Sequence, residues 1–352
     1  MNSNGFLVGA ALWAVLAAAG PIRAAEDKKP QAPPGIFGLY IENDLAAGTD
    51  RYYTNGLKVL WVSPELGDGE GQLRAPGWID FLTRRLPLLQ TQSARRFFSL
   101  SLAQAMYTPE DIFRSVPDPT DRPYAGFLYA GLAVHSLDAD SLDTAEIDIG
   151  VVGPLSLAGD VQRLWHHTFG WDRPRGWAYQ IKNEPVLALT YDHMQKILRP
   201  RAEEGFGRDA IVHAGATLSN AFTGAMAGLE FRMGWNLSGD FGSAHIQPGS
   251  DSAALFDERG LRLSGKGRFG FHFFLALEGK AVGRDIFLEG NTFGDGPRVE
   301  KLPLVGQAVA GIALRFRRLK LSYGYVFLSK EFATQRRTQT YATLKLSFTP
   351  RD

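Results

Sequence analysis

The sequence predicts an all-β protein: a transmembrane antiparallel β-barrel of about twelve strands with one short loop helix. Three observations predict it. Roughly twelve runs of about ten residues alternate between apolar and polar positions, the length that crosses a bilayer at a tilt. No long apolar helix competes with them. The chain also opens like an exported protein: residues 6–19 are almost unbroken apolar, followed by Gly20-Pro21-Ile22-Arg23-Ala24-Ala25 and then the polar Glu26-Asp27-Lys28-Lys29-Pro30. That apolar run is shorter than the about 20 residues of a membrane helix, so a secretory signal peptide over residues 1–24 is expected. A short leader (25–35) and a single barrel domain (36–352) follow.

Phe37, Leu39 and Ile41 fall opposite Gly38, Tyr40 and Glu42. This period of two makes the first strand, which ends at Asn43-Asp44. A second carries Leu57, Val59 and Trp61 on one face, and its alternation runs through Asn55-Gly56, so Thr54 is kept within it. The third spans about 96–104, with Phe98, Leu100 and Leu102 against Ser99, Ser101 and Ala103. Beyond a loop that contains Asp121-Arg122-Pro123-Tyr124-Ala125-Gly126, a fourth strand runs through Phe127, Tyr129 and Gly131. The fifth, about 143–152, alternates Ile147, Ile149 and Val151 with Glu146, Asp148 and Gly150. An ionised carboxylate facing lipid costs several kcal/mol, so Glu146 and Asp148 must point to a polar interior or to water.

Residues 153–172 break the pattern. Ala158, Val161, Leu164, Trp165 and Phe169 recur at helical spacings, while Gln162 and His166, four apart, share a different face. Gly153-Pro154 reads as punctuation between the fifth strand and this helix. Further alternating runs lie near 186–191, 212–218, 229–237, 269–277, 308–316, 319–328 and 341–348. A soluble sandwich would show the same period. The export segment, a final alternating strand ending in Phe348, and aromatics that could form interfacial girdles (Trp61, Tyr129, Trp235, Tyr323, Tyr325, Tyr341) favour the barrel.

Composition narrows the function. Thirty-eight basic against 37 acidic residues give a net charge of +1, which offers no bulk field for nucleic acid. Cysteine is absent, which removes disulfides, thiolate metal sites and thiol nucleophiles.

Several motifs occur jointly and in order: Glu42-Asn43-Asp44; Tyr53-Thr54-Asn55-Gly56; Leu102-Ala103-Gln104-Ala105-Met106-Tyr107-Thr108-Pro109; the Asp121 to Gly126 segment; Gly150-Val151-Val152-Gly153-Pro154; and Val161-Gln162 with His166 and Gly170. This set, spread over most of the chain, resembles the outer-membrane lipid A 3'-O-deacylases (LpxR-like). The resemblance implies a twelve-stranded barrel in the outer membrane of a Gram-negative cell, with the active site between the wall and a loop helix, facing the outer leaflet. It implies calcium-dependent hydrolysis of the 3'-linked acyloxyacyl group of lipid A in lipopolysaccharide. Carried over, His166 is the general base with Gln162 beside it, and Asn43, Asp44, Thr54 and Asp172 match the other polar positions. Asp172 stands where the family often has Glu. Arg114 is the candidate for a basic residue in the loop after Pro109. Calcium ligands are expected from Asp44, Thr54 and Asp172. A monomer is the expected state.

The residue chemistry agrees. Ester hydrolysis needs a base and a positive group for the oxyanion. Imidazole, with an unperturbed pKa of about 6.5, suits the first role. Asp44, Thr54 and nearby carbonyls offer hard oxygen ligands, which favour calcium over zinc or copper. With no Gly-x-Ser-x-Gly elbow, activated water ranks above Thr54 as nucleophile. Plainer readings stand beside these. Asn43-Asp44 is a common strand end, His166 and His167 on spacing alone are ordinary polar residues of a loop helix, and Asp50-Arg51 and Asp121-Arg122 are ion pairs or loop anchors. His135, His193, His213, His245 and His272 are lumen, loop or rim residues. The alternative functions are an outer-membrane phospholipase A-type esterase and a non-enzymatic channel or adhesion barrel.

Overall fold

Twelve antiparallel strands close on themselves in sequence order, β1 pairing with β12, in a computed structural model that describes residues 35–44, 51–69, 72–77, 79, 95–199, 205–242 and 268–350. The strands are β1 (Ile36–Asn43), β2 (Tyr52–Val62), β3 (Arg95–Thr108), β4 (Ala125–Leu137), β5 (Ser141–Val152), β6 (Glu184–Leu198), β7 (Phe206–Ser219), β8 (Phe222–Trp235), β9 (Phe269–Asp285), β10 (Leu304–Phe316), β11 (Leu319–Leu328) and β12 (Gln339–Phe348). Helix α1 (Ala158–Phe169) lies between β5 and β6, and the single turn α2 (Ile286–Glu289) follows β9. The expected signal peptide, most of the expected leader and His245 lie outside the described residues.

Closure leaves no unpaired strand edge, the condition for a sheet in lipid. The alternation is inside out relative to a soluble sandwich. Leu102, Ile149, Leu187 and Leu277 are exposed on the outer face, while Lys58, Glu146, Asp148, Arg232, Lys320 and Lys345 are buried in the lumen. Glu146 and Asp148 therefore point inward as expected, and Glu146 meets Lys58 at 3.5 Å. His135, His213 and His272 share that inner phase. The girdle expectation needs correction at two positions. Trp235 and Tyr323 face outward, but Tyr129 and Tyr341 are in phase with Gly131 and Thr343 and point into the lumen. There Tyr129 receives the Lys58 ammonium over its ring and Tyr341 packs edge-on to Tyr53.

At the end where β1 begins and β12 ends the lumen is filled. The segment after β8 turns into the barrel, and Phe241 packs among Ile36, Tyr40, Leu60, Val62, Phe97, Leu137, Leu142, Met194 and Ile211, which come from β1 through β7. Asp240 bonds Arg232 and lies 2.5 Å from Lys320 Nζ, Arg232 Nε reaches Asp209 at 2.8 Å, and Lys196 Nζ donates to the Gly239 carbonyl. These contacts seal one end with an apolar plug tied by paired charges. Towards the other end lies a cavity of about 210 Å³ lined by Tyr53, Tyr107, Phe127, Phe287 and Tyr341 with Glu42, Asp148 and Asp285.

Candidate active site

The α1 end carries every motif of interest. Register places Asn43 opposite Asn55, Asn55 opposite Met106, and Met106 opposite Gly126. Their sequence neighbours Glu42, Ala105 and Phe127 line the luminal cavity, so this four-strand row faces outward. Helix α1 lies against its far end, on the outside of the wall. Met106 packs with Ile112, Tyr124, Ala158 and Trp177, and Gln104 Nε2 donates to the Ser156 carbonyl at 2.7 Å. Gly126 permits the approach: a Cβ there would lie 2.1 Å from Ser156 Oγ and 2.4 Å from Ala158 Cβ.

The helix is oriented against the simplest expectation. Its wall-facing residues are Ala158, Gly159, Gln162 and His166, whereas Leu164 and Trp165 are 65% and 45% exposed. In water the apolar face would turn in; beside a membrane wall it turns out. Gly170, at φ 70°, ends the helix, and its N–H and that of Trp171 return to the His166 carbonyl. This left-handed cap folds the chain back so that the Asp172 carbonyl lies 2.5 Å from His166 Nδ1. A carbonyl only accepts, so Nδ1 carries the proton and Nε2 is the basic nitrogen. Gln162 is buried, and its Oε1 accepts from Trp177 Nε1 at 2.6 Å.

The oxygen-rich group stands on β1 to β3. Thr54 sits at a bulge between Tyr53 and Asn55, which brings its hydroxyl within 2.7 Å of Thr108 Oγ1. The Thr54 carbonyl accepts from Asn43 Nδ2 at 3.2 Å and from the Asp44 N–H at 3.3 Å. Asp44 is fully buried, and its Oδ2 accepts from the Arg51 N–H at 2.5 Å. With strands about 4.8 Å apart, Asn43 and Met106 are separated by two spacings, roughly 10 Å. Asn43, Thr54, Gln162 and His166 thus share one end and one outer face, and Asp44 follows Asn43 at that end.

Arg114 and Asp172 show exposed side chains. Arg114 is half exposed on the β3–β4 loop, 3.2 Å from Asp118. Asp172 has an exposed side chain and serves His166 through its main chain. In the same loop Asp121 and Arg122 are anchors: Asp121 accepts from the N–H groups of Glu110 and Arg122, and the buried Arg122 pairs with Glu331 at 2.8 Å. Burial opposes the Arg122 charge, yet Glu331 and then Asp285 hold it above its ordinary value. Thr108 and Trp177 are contacts that sequence reasoning did not assign. Thr108 lies inside a quoted motif, whereas Trp177 lies in a stretch without periodicity and carries no signal.

A family model described as "Outer membrane protein LpxR" matches residues 9–349. The chain belongs to the LpxR family. Like LpxR, it is an outer-membrane β-barrel protein. LpxR from Salmonella typhimurium has the same fold, with TM-score 0.69 and 18% identity over 89% of this chain and 99% of that one. The β domain of the Bordetella autotransporter Brka (TM-score 0.41, 7% identity, 91% and 99% covered) and KdgM porin (0.36, 4%, 90% and 99%) are more distant barrels. A comparison with curated proteins finds no match.

Proposed function

We propose that this LpxR-family protein is a calcium-dependent esterase that removes the 3'-linked acyloxyacyl group of lipid A, acting as a monomer on the outer leaflet. The observation that carries the reading is the pairing of Gln162 and His166 on the wall-facing side of α1, outside the barrel and level with Asn43 and Thr54. A hydrolase of membrane lipid needs its base where acyl chains reach it, and the outer face of the wall is that place. A channel would need its polar groups along an open lumen, and here the lumen is plugged around Phe241.

In this mechanism His166 Nε2 takes a proton from water, which attacks the ester carbonyl; as the acyl C–O bond breaks, the imidazolium gives the proton to the leaving alkoxide oxygen, which departs as a hydroxyl. The Asp172 carbonyl holds the ring in the required tautomer. Gln162 and Asn43 supply amide N–H donors beside the reacting ester. The donor set on β1 and β2 is all oxygen, with the buried Asp44 carboxylate and the Thr54 hydroxyl as the residues that would hold calcium. Among the described residues no group of three His, Cys, Asp or Glu side chains is arranged to hold a metal ion, so hydroxyls, carbonyls and water would complete the shell, as calcium accepts and zinc does not favour. Calcium bound there would supply positive charge for the oxyanion.

The test is incubation of the folded barrel with lipopolysaccharide and calcium, followed by mass spectrometry of lipid A. Loss of one acyloxyacyl unit supports the reading. Fatty-acid release from glycerophospholipid alone, or no release at all, overturns it.

A further inference from the structure

The geometry points to Trp177 as a positioning residue that sets which way the Gln162 amide faces; the inference rests on the proposed hydrolase reading. Trp177 lies in the single 3-10 turn Gly176–Tyr179 between α1 and β6 and is buried. Its indole N–H donates to Gln162 Oε1 at 2.6 Å. Indole nitrogen is a donor only, so the atom facing it must be the amide oxygen, and this contact favours one orientation of a group with two otherwise similar ends. Nε2, with both its N–H donors, is thereby turned away from Trp177. A hydrolase needs donors aimed at the ester oxygen on which charge develops, and a Gln flipped by 180° would present its oxygen there instead.

The indole is itself held from three sides. Tyr124 packs against it with ring centroids 5.0 Å apart, Met106 of the wall and Ile112 join the same cluster, and Gly159 of the helix leaves room for the ring face. A Cβ at Gly159 would lie 3.0 Å from Trp177 Cδ2. Trp177 therefore links the wall, the β3–β4 loop and α1 while touching the amide through one bond. It is not placed against the reacting atoms, and the inferred effect on turnover passes through Gln162.

A double-mutant cycle reads this directly. Trp177→Phe keeps the ring and deletes the donor, so kcat should fall about tenfold with KM within about twofold, in a barrel that keeps its heat-induced gel shift. In the Gln162→Ala background the same change should cost nothing further, because the residue it acts through is gone. Wild-type kcat in Trp177→Phe, or two losses that simply multiply, overturns the inference. If Trp177→Phe does not fold, the indole N–H resonance of ¹⁵N-tryptophan-labelled protein in micelles decides. Slow exchange in the wild type and faster exchange in Gln162→Ala support the bond, and equal exchange in both overturns it. His166→Ala separates the two levels: full activity there ends the hydrolase reading itself, whereas loss there with an unaffected Trp177→Phe ends only this inference.

Discussion

The Asp172 carbonyl lies 2.5 Å from His166 Nδ1, so the main chain beyond the α1 cap holds that side of the ring. His166→Ala should lower kcat by about 10²- to 10⁴-fold, the usual contribution of a general base. Asp172→Ala leaves the carbonyl in place and should change kcat by less than about threefold. Lipid A mass spectrometry on both variants checks the pair. A large loss in Asp172→Ala that extra calcium restores would instead assign its carboxylate to the ion.

Gly126 is where the wall admits the helix. Gly126→Ala drives a methyl group into Ser156 and Ala158. Overpacking of this kind costs about 1–3 kcal/mol, and here the burden falls on the seat of α1 rather than on the strand ladder. The expected variant is a folded, heat-modifiable barrel with most of its hydrolysis lost; intact activity would mean that α1 need not sit so close.

Calcium removal should stop turnover. EGTA is expected to abolish deacylation, with recovery on adding calcium and not magnesium, whose small octahedral shell suits this mixed oxygen set poorly. Asp44→Asn removes the one buried carboxylate of the group and should raise the calcium concentration for half-maximal rate at least about tenfold.

The plug gives a prediction on pH. Burial alone would raise the Asp240 carboxyl, but Lys320 and then Arg232 outweigh it and hold it far below the usual carboxylate range. The folded value lies below the unfolded one of about 3.9, so the stabilisation is present above about pH 4 and is lost as pH falls through the folded value. Asp240→Asn discards it at every pH, and breaking such a buried pair costs on the order of 3 kcal/mol. Planar-bilayer recordings should show a silent wild type at pH 7 and openings in Asp240→Asn; steady wild-type conductance at pH 7 would contradict a sealed lumen.

Much of this architecture was legible because a strand repeats every two residues. The alternation of Ala342, Leu344, Leu346 and Phe348 against Thr343, Lys345 and Ser347 carries straight into β12. The period of the third strand fades at Gln104, where Ala105, Met106 and Tyr107 blur the apolar contrast, although the ladder continues to Thr108. Period also revealed a helix over 158–169 but not which side meets the wall, since that depends on whether water or lipid lies outside. Phe241 was invisible for a different reason: a residue that plugs a lumen sits in a connecting segment, where no period marks burial. Trp177 was equally hidden, because its importance comes from one bond to a residue fifteen positions away.

Leu164 and Trp165, turned out from α1, have a kinetic corollary for the proposed reaction. An enzyme whose catalytic helix shows its oily side to the leaflet meets substrate by drifting within a surface, not by collision from solution. Its rate would then follow molecules per unit area: diluting a cell suspension would leave it unchanged, while spreading the same lipid among inert detergent would slow it in proportion.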